Sequence, residues 1–195
     1  MRTIYILATN FPTVPVYFQQ NDAALVRRCL DGETAAFEGL VAEYQRLAFT
    51  VALRMLGNAE DARDATQNTF VKAFEKLHSY EPKYRFFSWL YRILINECLN
   101  ARRGRHPAEE LSTDQPARDE ATDAVEVAER RRDVRTALLA LPVHYREVIV
   151  LRHFAQMSYE EMSVTLGVPV KTVKSRLHTA RQQLTRLLSA WAVTP

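Results

Sequence analysis

The sequence predicts an all-α protein of two small helical domains joined by a flexible acidic linker, and three observations carry that expectation. Apolar residues recur at helical spacing along most of the chain. Only 5 of the 195 residues are Gly while 47% are hydrophobic, a composition that suits helical bundles. One stretch, 104–128, differs from everything around it: it holds Glu109, Glu110, Asp114, Asp119, Glu120, Asp123 and Glu126 against Arg105 and Arg118, with Pro107 and Pro116. Such a segment cannot bury enough apolar surface to pack. The expected organisation is a loose extension over 1–20, a first domain over 21–103, the linker over 104–128 and a second domain over 129–190.

The N-terminal stretch MRTIYILATNFPTVPVYFQQ has one Arg and a short apolar patch interrupted by Asn10, Pro12 and Pro15. It lacks a secretory h-region, and no run in the chain approaches bilayer length. A short amphipathic helix follows from Asp22 to Leu30, broken at Asp31-Gly32. From Glu33 to Leu56, Phe37, Leu40, Val41, Tyr44, Leu47, Ala48, Val51 and Met55 keep helical period until Gly57. Asn58 can cap a third helix reaching about His78, with Asp61 in its first turn and Ala62, Ala65, Phe70, Ala73, Phe74 and Leu77 on its inner side. Ser79 to Arg85 contains Pro82 and reads as a loop. A fourth helix spans Phe86 to Arg103.

That fourth helix has two opposed faces. Phe87, Leu90, Leu94, Cys98 and Ala101 are apolar, while Arg92, Asn96, Asn100 and Arg103 recur on the other side. Arg supplies phosphate forks and Asn can pair with a base edge. Across the loop before it and its own first turns, Tyr80, Tyr84, Phe86, Phe87, Trp89 and Tyr91 interleave with Lys83, Arg85 and Arg92. Rings beside cations are what single-strand binders use to stack bases. For Phe87, Trp89 and Leu90 a core role is expected. For Tyr80, Lys83 and Tyr84 both base contact and packing remain open.

Helices resume near Glu129, and Leu141-Pro142 starts another that reaches about Phe154. In SYEEMSVTLGVPVKTVKSRLHTARQQLTRLL, Ser158 and Glu161 form a capping box, so a short helix runs from Tyr159 to about Leu166. Gly167 can adopt the left-handed turn, and Pro169 suits the first turn of a second helix. Val173, Leu177, Ala180, Leu184 and Leu187 make its core stripe. Lys171, Ser175, His178 and Gln182 point away, with Lys174 and Arg181 on the flanks. Two helices around a tight turn, the second presenting donors, are the helix-turn-helix design for a major groove. After Glu161 the chain carries Lys171, Lys174, Arg176, Arg181 and Arg186 with no acid, against a net charge of only +3 overall. The basic surface is therefore local, and its DNA binding should be salt-dependent.

Other chemistries find little support. Cys29 and Cys98 make neither a disulfide framework nor a zinc site, and Cys98 reads as a buried thiol. The histidines at 78, 106, 144, 153 and 178 show no metal spacing. No Walker loop, nucleophile elbow or HExxH occurs. No catalytic residue, metal or cofactor is expected.

Three ordered motifs give the chain a family resemblance from about Asp22 to Leu188. NAEDARDATQNTFVKAF, FFSWLYRILINECLNARR, and LPVHYREVIVLRHF with the helix-turn-helix stretch resemble a bacterial RNA polymerase sigma factor of the extracytoplasmic-function (ECF) group. The resemblance implies a promoter-recognition subunit whose first domain docks on core polymerase and captures unpaired minus-ten bases, while the second reads duplex minus-thirty-five DNA. It assigns Asp61, Asp64, Gln67 and Phe70 to polymerase binding, although Phe70 also fits a core role. Minus-ten DNA falls to the loop from Ser79, including Tyr80, Lys83 and Tyr84, and to Arg92, Asn96, Asn100, Arg102 and Arg103. Minus-thirty-five DNA falls to the helix-turn-helix over 158–177 and the turn after it: Ser158, Lys171, Thr172, Lys174, Ser175, Arg176, His178 and Arg181. Lys171 stands where the family often has Gly, which favours a phosphate over a base as its partner; Asn68 stands where an acid is common.

The resemblance also implies an anti-sigma partner and a cytoplasmic location, with membrane tethering only through that partner. Promoter elements two helical turns apart lie about 70 Å from each other. A coil of about 25 residues averages only about 25–30 Å end to end, so the linker must be drawn out, and its acids are expected to thread basic channels of the polymerase. The rival reading is a stand-alone helix-turn-helix regulator with a helical sensor or dimerisation domain, which would bind palindromic duplex without polymerase.

Overall fold

The structure, a computed structural model, describes residues 22–104 and 124–191. The expected extension over 1–20 and most of the acidic linker lie outside the described residues, as do the roles proposed for the linker's acids. Among the described residues every regular element is helical: α1 Asp22–Leu30, α2 Ala36–Leu56, α3 Ala59–Glu75, α4 Phe86–Gly104, α5 Ala124–Ala140, α6 Val143–His153, α7 Tyr159–Leu166 and α8 Val170–Trp191, with a short 3-10 turn at Leu77–Ser79.

Local chemistry sets most boundaries. Gly32 takes φ +100, and Glu33 folds back so that Arg28 Nε donates to its carboxylate at 2.8 Å. Glu33 is thereby committed to the turn, and α2 starts at Ala36 rather than at Glu33. Gly57 ends α2 at φ 79, a conformation that L side chains resist. Asn58 Oδ1 then accepts from the backbone amides of Glu60 at 2.7 Å and Asp61 at 3.1 Å, starting α3 as expected. That helix stops at Glu75, earlier than the sequence suggests, because the chain tightens into the 3-10 turn. Helix α5 begins at Ala124, five residues before the predicted restart. No Pro or Gly lies between Ala117 and Ala140, so nothing there breaks a helix, and Glu126 is helical rather than part of the linker.

Helices α1 to α4 pack around Leu40, Tyr44, Ala48, Val51, Phe86, Leu90, Tyr91 and Leu94, all buried. Tyr44 donates its hydroxyl to Asp22 Oδ2 at 2.6 Å inside this core, tying α1 to α2. Helices α5 to α8 pack around Leu138, Leu141, Ile149, Leu151, Met157, Val173 and Leu177. The two groups are not separate: their buried residues form one continuous core. Helices α6 and α7 lie against α2 and α4, so the second domain is seated on the first.

Loss of the Asn58 cap should be felt by the whole first domain. Asn58→Ala is expected to cost about 1 kcal/mol of stability, read as a lower urea midpoint with unchanged slope.

Candidate nucleic-acid and polymerase interfaces

Helix α4 presents its polar side as predicted. Arg92, Asn96, Asn100, Arg102 and Arg103 are exposed, while Leu90, Leu94 and Cys98 are buried. Burial pushes the Cys98 thiol up to about 12, so it is a protonated core group. Glu97, almost covered, accepts from Lys72 Nζ of α3 at 2.6 Å. That ion pair fixes the rotation of α4 about its axis and hence the direction of its Asn-Arg face.

The loop before α4 divides the residues left open by the sequence. Tyr80 is buried at 8% exposure, its ring 5.6 Å from both Phe86 and Trp89, and its hydroxyl donates to the Tyr84 carbonyl at 2.6 Å. Stacking on a base is closed to it in this conformation, and it acts as the loop's anchor. Lys83 and Tyr84 are exposed, with the ammonium 4.9 Å from the ring centre, so these two remain available to DNA. Phe87 and Trp89 are partly buried against the core, as expected.

On α3, Asp64 and Gln67 are exposed and Asp61 is half-buried. Phe70 is not on that surface. It is buried, its ring edge-on to Phe37 at 6.5 Å, which favours its core role and removes it from direct docking. Phe74, expected on the inner side, is instead 45% exposed, and Val71 is exposed beside it. Phe74 and Phe37 meet at 5.1 Å and line an apolar cleft of about 400 Å³ with Thr34, Val41, Ala42 and Gln45. The stripe Asp64–Gln67–Val71–Phe74 thus runs polar to apolar along one face. Periodicity alone could not separate Phe70 from Phe74, which are one helical turn apart.

The helix-turn-helix follows its sequence signals closely. Ser158 Oγ accepts from the Glu161 amide at 3.1 Å and the Glu161 carboxylate accepts from the Ser158 amide at 2.7 Å. Gly167 has φ 64. Ser158 is therefore a cap, half-buried, rather than an open DNA contact. Lys171, Lys174, Ser175 and His178 are exposed on α8, and Thr172 is half-buried in its first turn. The Tyr159 ring lies between Arg152 and Lys174, whose cations sit 5.2 and 5.4 Å from its centre, so Lys174 is held in place. Arg176 and Arg181 are half-buried. Burial raises the pKa of Glu147, and the charges of Arg176 and Arg146 partly oppose the rise. Burial, with the charges of Arg181 and Arg152 added to it, brings the His153 pKa down to about 4, so that ring is neutral. Among the described residues no cluster of His, Cys, Asp or Glu is fit to hold a metal, and no helix is long and apolar enough to span a membrane.

Sequence reasoning missed one set of residues entirely. The Arg146 guanidinium, 3% exposed, donates to four backbone carbonyls, those of Leu138, Leu139, Leu141 and Met55. A charged pair, Arg146-Glu147, set directly before the buried run Val148–Leu151 was the available signal.

Comparison with known proteins agrees with this geometry. Residues 40–107 match the family profile of sigma-70 region 2 and residues 131–184 that of sigma-70 region 4. The RNA polymerase sigma-H factor of Pseudomonas aeruginosa is 34% identical over 183 residues, 87% of this chain and 95% of that one. The ECF RNA polymerase sigma factor SigW of Bacillus subtilis is 30% identical over 176 residues, 84% and 94% of the two chains. The chain belongs to the ECF RNA polymerase sigma factors. Among solved structures, CnrH in complex with the cytosolic domain of CnrY superposes with a TM-score of 0.69 at 30% identity, covering 88% of this chain and 99% of that one. The sigma factor RpoE of Bartonella quintana, in complex with the anti-sigma factor NepR, gives 0.64 at 27% identity, covering 78% and 96%. An ECF sigma factor directs promoter-specific transcription initiation as a subunit of RNA polymerase and is not an enzyme; the stand-alone regulator reading is not favoured.

Glu161 offers a pH test of this sigma factor's helix-turn-helix. Burial raises its pKa, but the Ser158 hydrogen bonds and the Arg85 charge outweigh it and leave the carboxyl below its usual value. A depressed carboxylate stabilises the fold above its unfolded pKa and loses that contribution as pH falls through the folded one. The stability gap between the protein and its Glu161→Gln variant should therefore be full at pH 7 and shrink below about pH 4.3, measured by denaturation across pH.

Proposed function

We propose that this sigma factor divides promoter recognition between two faces: the α4 face with its loop for the melted minus-ten strand, and α8 for minus-thirty-five duplex. The observation that carries the reading is the paired exposure of Lys83, Tyr84, Arg92, Asn96, Asn100, Arg102 and Arg103 on one domain and Lys171, Lys174, Ser175 and His178 on the other. Exposed cations beside an exposed ring suit unpaired bases. A basic helix behind a tight turn suits a major groove. Thr172, Arg176 and Arg181, half-buried, support that helix and reach phosphate from its flanks.

Polymerase docking is assigned to α3, through Asp61, Asp64 and Gln67, with Val71 and Phe74 extending the contact into the apolar cleft. Phe70 holds this face from beneath. The complex of RpoE with the anti-sigma factor NepR supports an inhibitory partner of the same kind for this chain, and a cytoplasmic site of action follows from the role itself.

The direct test is transcription in vitro with purified core polymerase and a library of bacterial upstream sequences. Initiation at defined start sites is expected; its absence would overturn the reading. Asp64→Ala with Phe74→Ala should weaken association with core polymerase about tenfold or more while leaving the helical signal intact. Lys171→Ala should weaken duplex binding alike on all sequences and reduce the slope of log affinity against log salt by about 0.9, measured by titration at several salt concentrations.

A further inference from the structure

A lysine can be held by a carboxylate or by a ring, and the two leave it in different states. A carboxylate occupies hydrogen-bond donors and cancels the charge, whereas a ring face attracts the ammonium and leaves both charge and donors free. Lys72 is paired with Glu97, and Lys83 with Glu81. Among the described residues the two lysines of α8, Lys171 and Lys174, have no carboxylate within ion-pair distance. They differ in one respect. Lys174 Nζ lies 5.4 Å from the centre of the Tyr159 ring, and among the described residues no ring lies under Lys171.

The ring is itself fixed. Tyr159 is the first residue of α7, next to the Ser158 cap and half-buried against the core. The Arg152 guanidinium of α6 sits 5.2 Å from the ring centre, and Arg152 Nη1 donates to the Met157 carbonyl at 2.6 Å. Arg152 thus closes the turn between α6 and α7, in which Gln156 takes φ 55, and lays its charge against the ring that this turn delivers. Support runs from α6 through the turn to Tyr159, and from Tyr159 across to α8. A free lysine gives up its rotamer freedom only on meeting a phosphate. Lys174 has given up part of it on folding, with its charge intact; Lys171 has not.

We propose that Tyr159 is a positioning residue for minus-thirty-five binding: its ring presets Lys174 as a fixed phosphate contact, and Lys171 serves as a free counter-charge. Phosphate contacts set the register of a protein on the duplex. A donor that arrives in one place fixes where α8 lies, and one that arrives anywhere adds attraction alone. Tyr159 touches no DNA in this role and acts through Lys174. The inference rests on the reading of α8 as the duplex-binding helix. If Lys174→Ala changes neither affinity nor salt dependence, Lys174 is no duplex contact and that reading fails at this residue; if it changes both but is uncoupled from Tyr159, only the positioning role fails.

The experiment is a double-mutant cycle in the holoenzyme, formed from the full chain and core polymerase. The probe is the minus-thirty-five duplex of a promoter that the wild-type holoenzyme selects from the upstream library. Tyr159→Leu removes the ring and no charge, so affinity should fall about two- to tenfold while the slope of log affinity against log salt stays unchanged. Tyr159→Phe keeps the ring and should bind as the wild type does. Lys174→Ala should lower the affinity and reduce the slope by about 0.9. In that background Tyr159→Leu should have no further effect, whereas in a Lys171→Ala background it should keep its full effect. A Tyr159→Leu loss that is equally large with Lys174→Ala present overturns the proposal, as does unchanged affinity in Tyr159→Leu alone. Should Tyr159→Leu lose its helical signal, the decision passes to the lysine side-chain NMR signals of the free full-length wild-type chain, which need no promoter. The Lys174 signals, assigned with Lys174→Ala, should be displaced by the ring relative to those of Lys171; coincidence of the two sets overturns the proposal.

Discussion

The carbonyl end of α2 is the point on which the molecule turns. A helix of 21 residues is broken at Gly57 because only a left-handed residue can reverse the chain there, and the reversal aims the last carbonyls outward. Water could satisfy them at little cost. Two guanidinium groups from residues about 80 to 90 positions later satisfy them instead. That choice joins two bundles that could each bury their own apolar stripe, and it produces one core where sequence pattern predicts two. Arg146 is well suited to the task. Its planar fork holds three carbonyls at the α5–α6 corner while one nitrogen remains for Met55.

Polar residues on α4 and α8 face solvent for a related reason. Each helix carries a single apolar stripe, and the residues opposite that stripe have nowhere to pack. The Lys72–Glu97 pair and the Tyr159 ring between Arg152 and Lys174 then refine direction. They convert exposed side chains into presented ones, since a cation held against a ring or a helix held by a covered carboxylate loses less freedom on meeting DNA.

Much of this was legible in the sequence because its signals are local. Ser158 with Glu161, Asn58 with the amides two and three residues on, and Gly57 and Gly167 with their positive φ all act within one turn of chain. The stripe of α8 is likewise a property of one helix. What was not legible depends on distant partners. Tyr80 and Tyr84 look alike in sequence, and only the positions of Phe86 and Trp89 decide that the first is an anchor and the second is open. Phe70 and Phe74 differ by four residues, and the cleft beside Phe37 decides which is core. The restart of α5 at Ala124 was hidden because charge composition, which marks a linker, says nothing against helix when Pro and Gly are absent.

Arg85 shows how the two kinds of information meet. It lies by sequence in the loop before α4, and by structure it joins the cap of the helix-turn-helix, through Glu161. Its charge also reaches Asp22, where it offsets part of the burial that raises that carboxyl's pKa. A guanidinium with carboxylates on two sides is held electrostatically, yet it is over a third exposed and so open to competition. The α7 cap has its own Ser158–Glu161 bonds, so the start of the helix-turn-helix does not depend on Arg85.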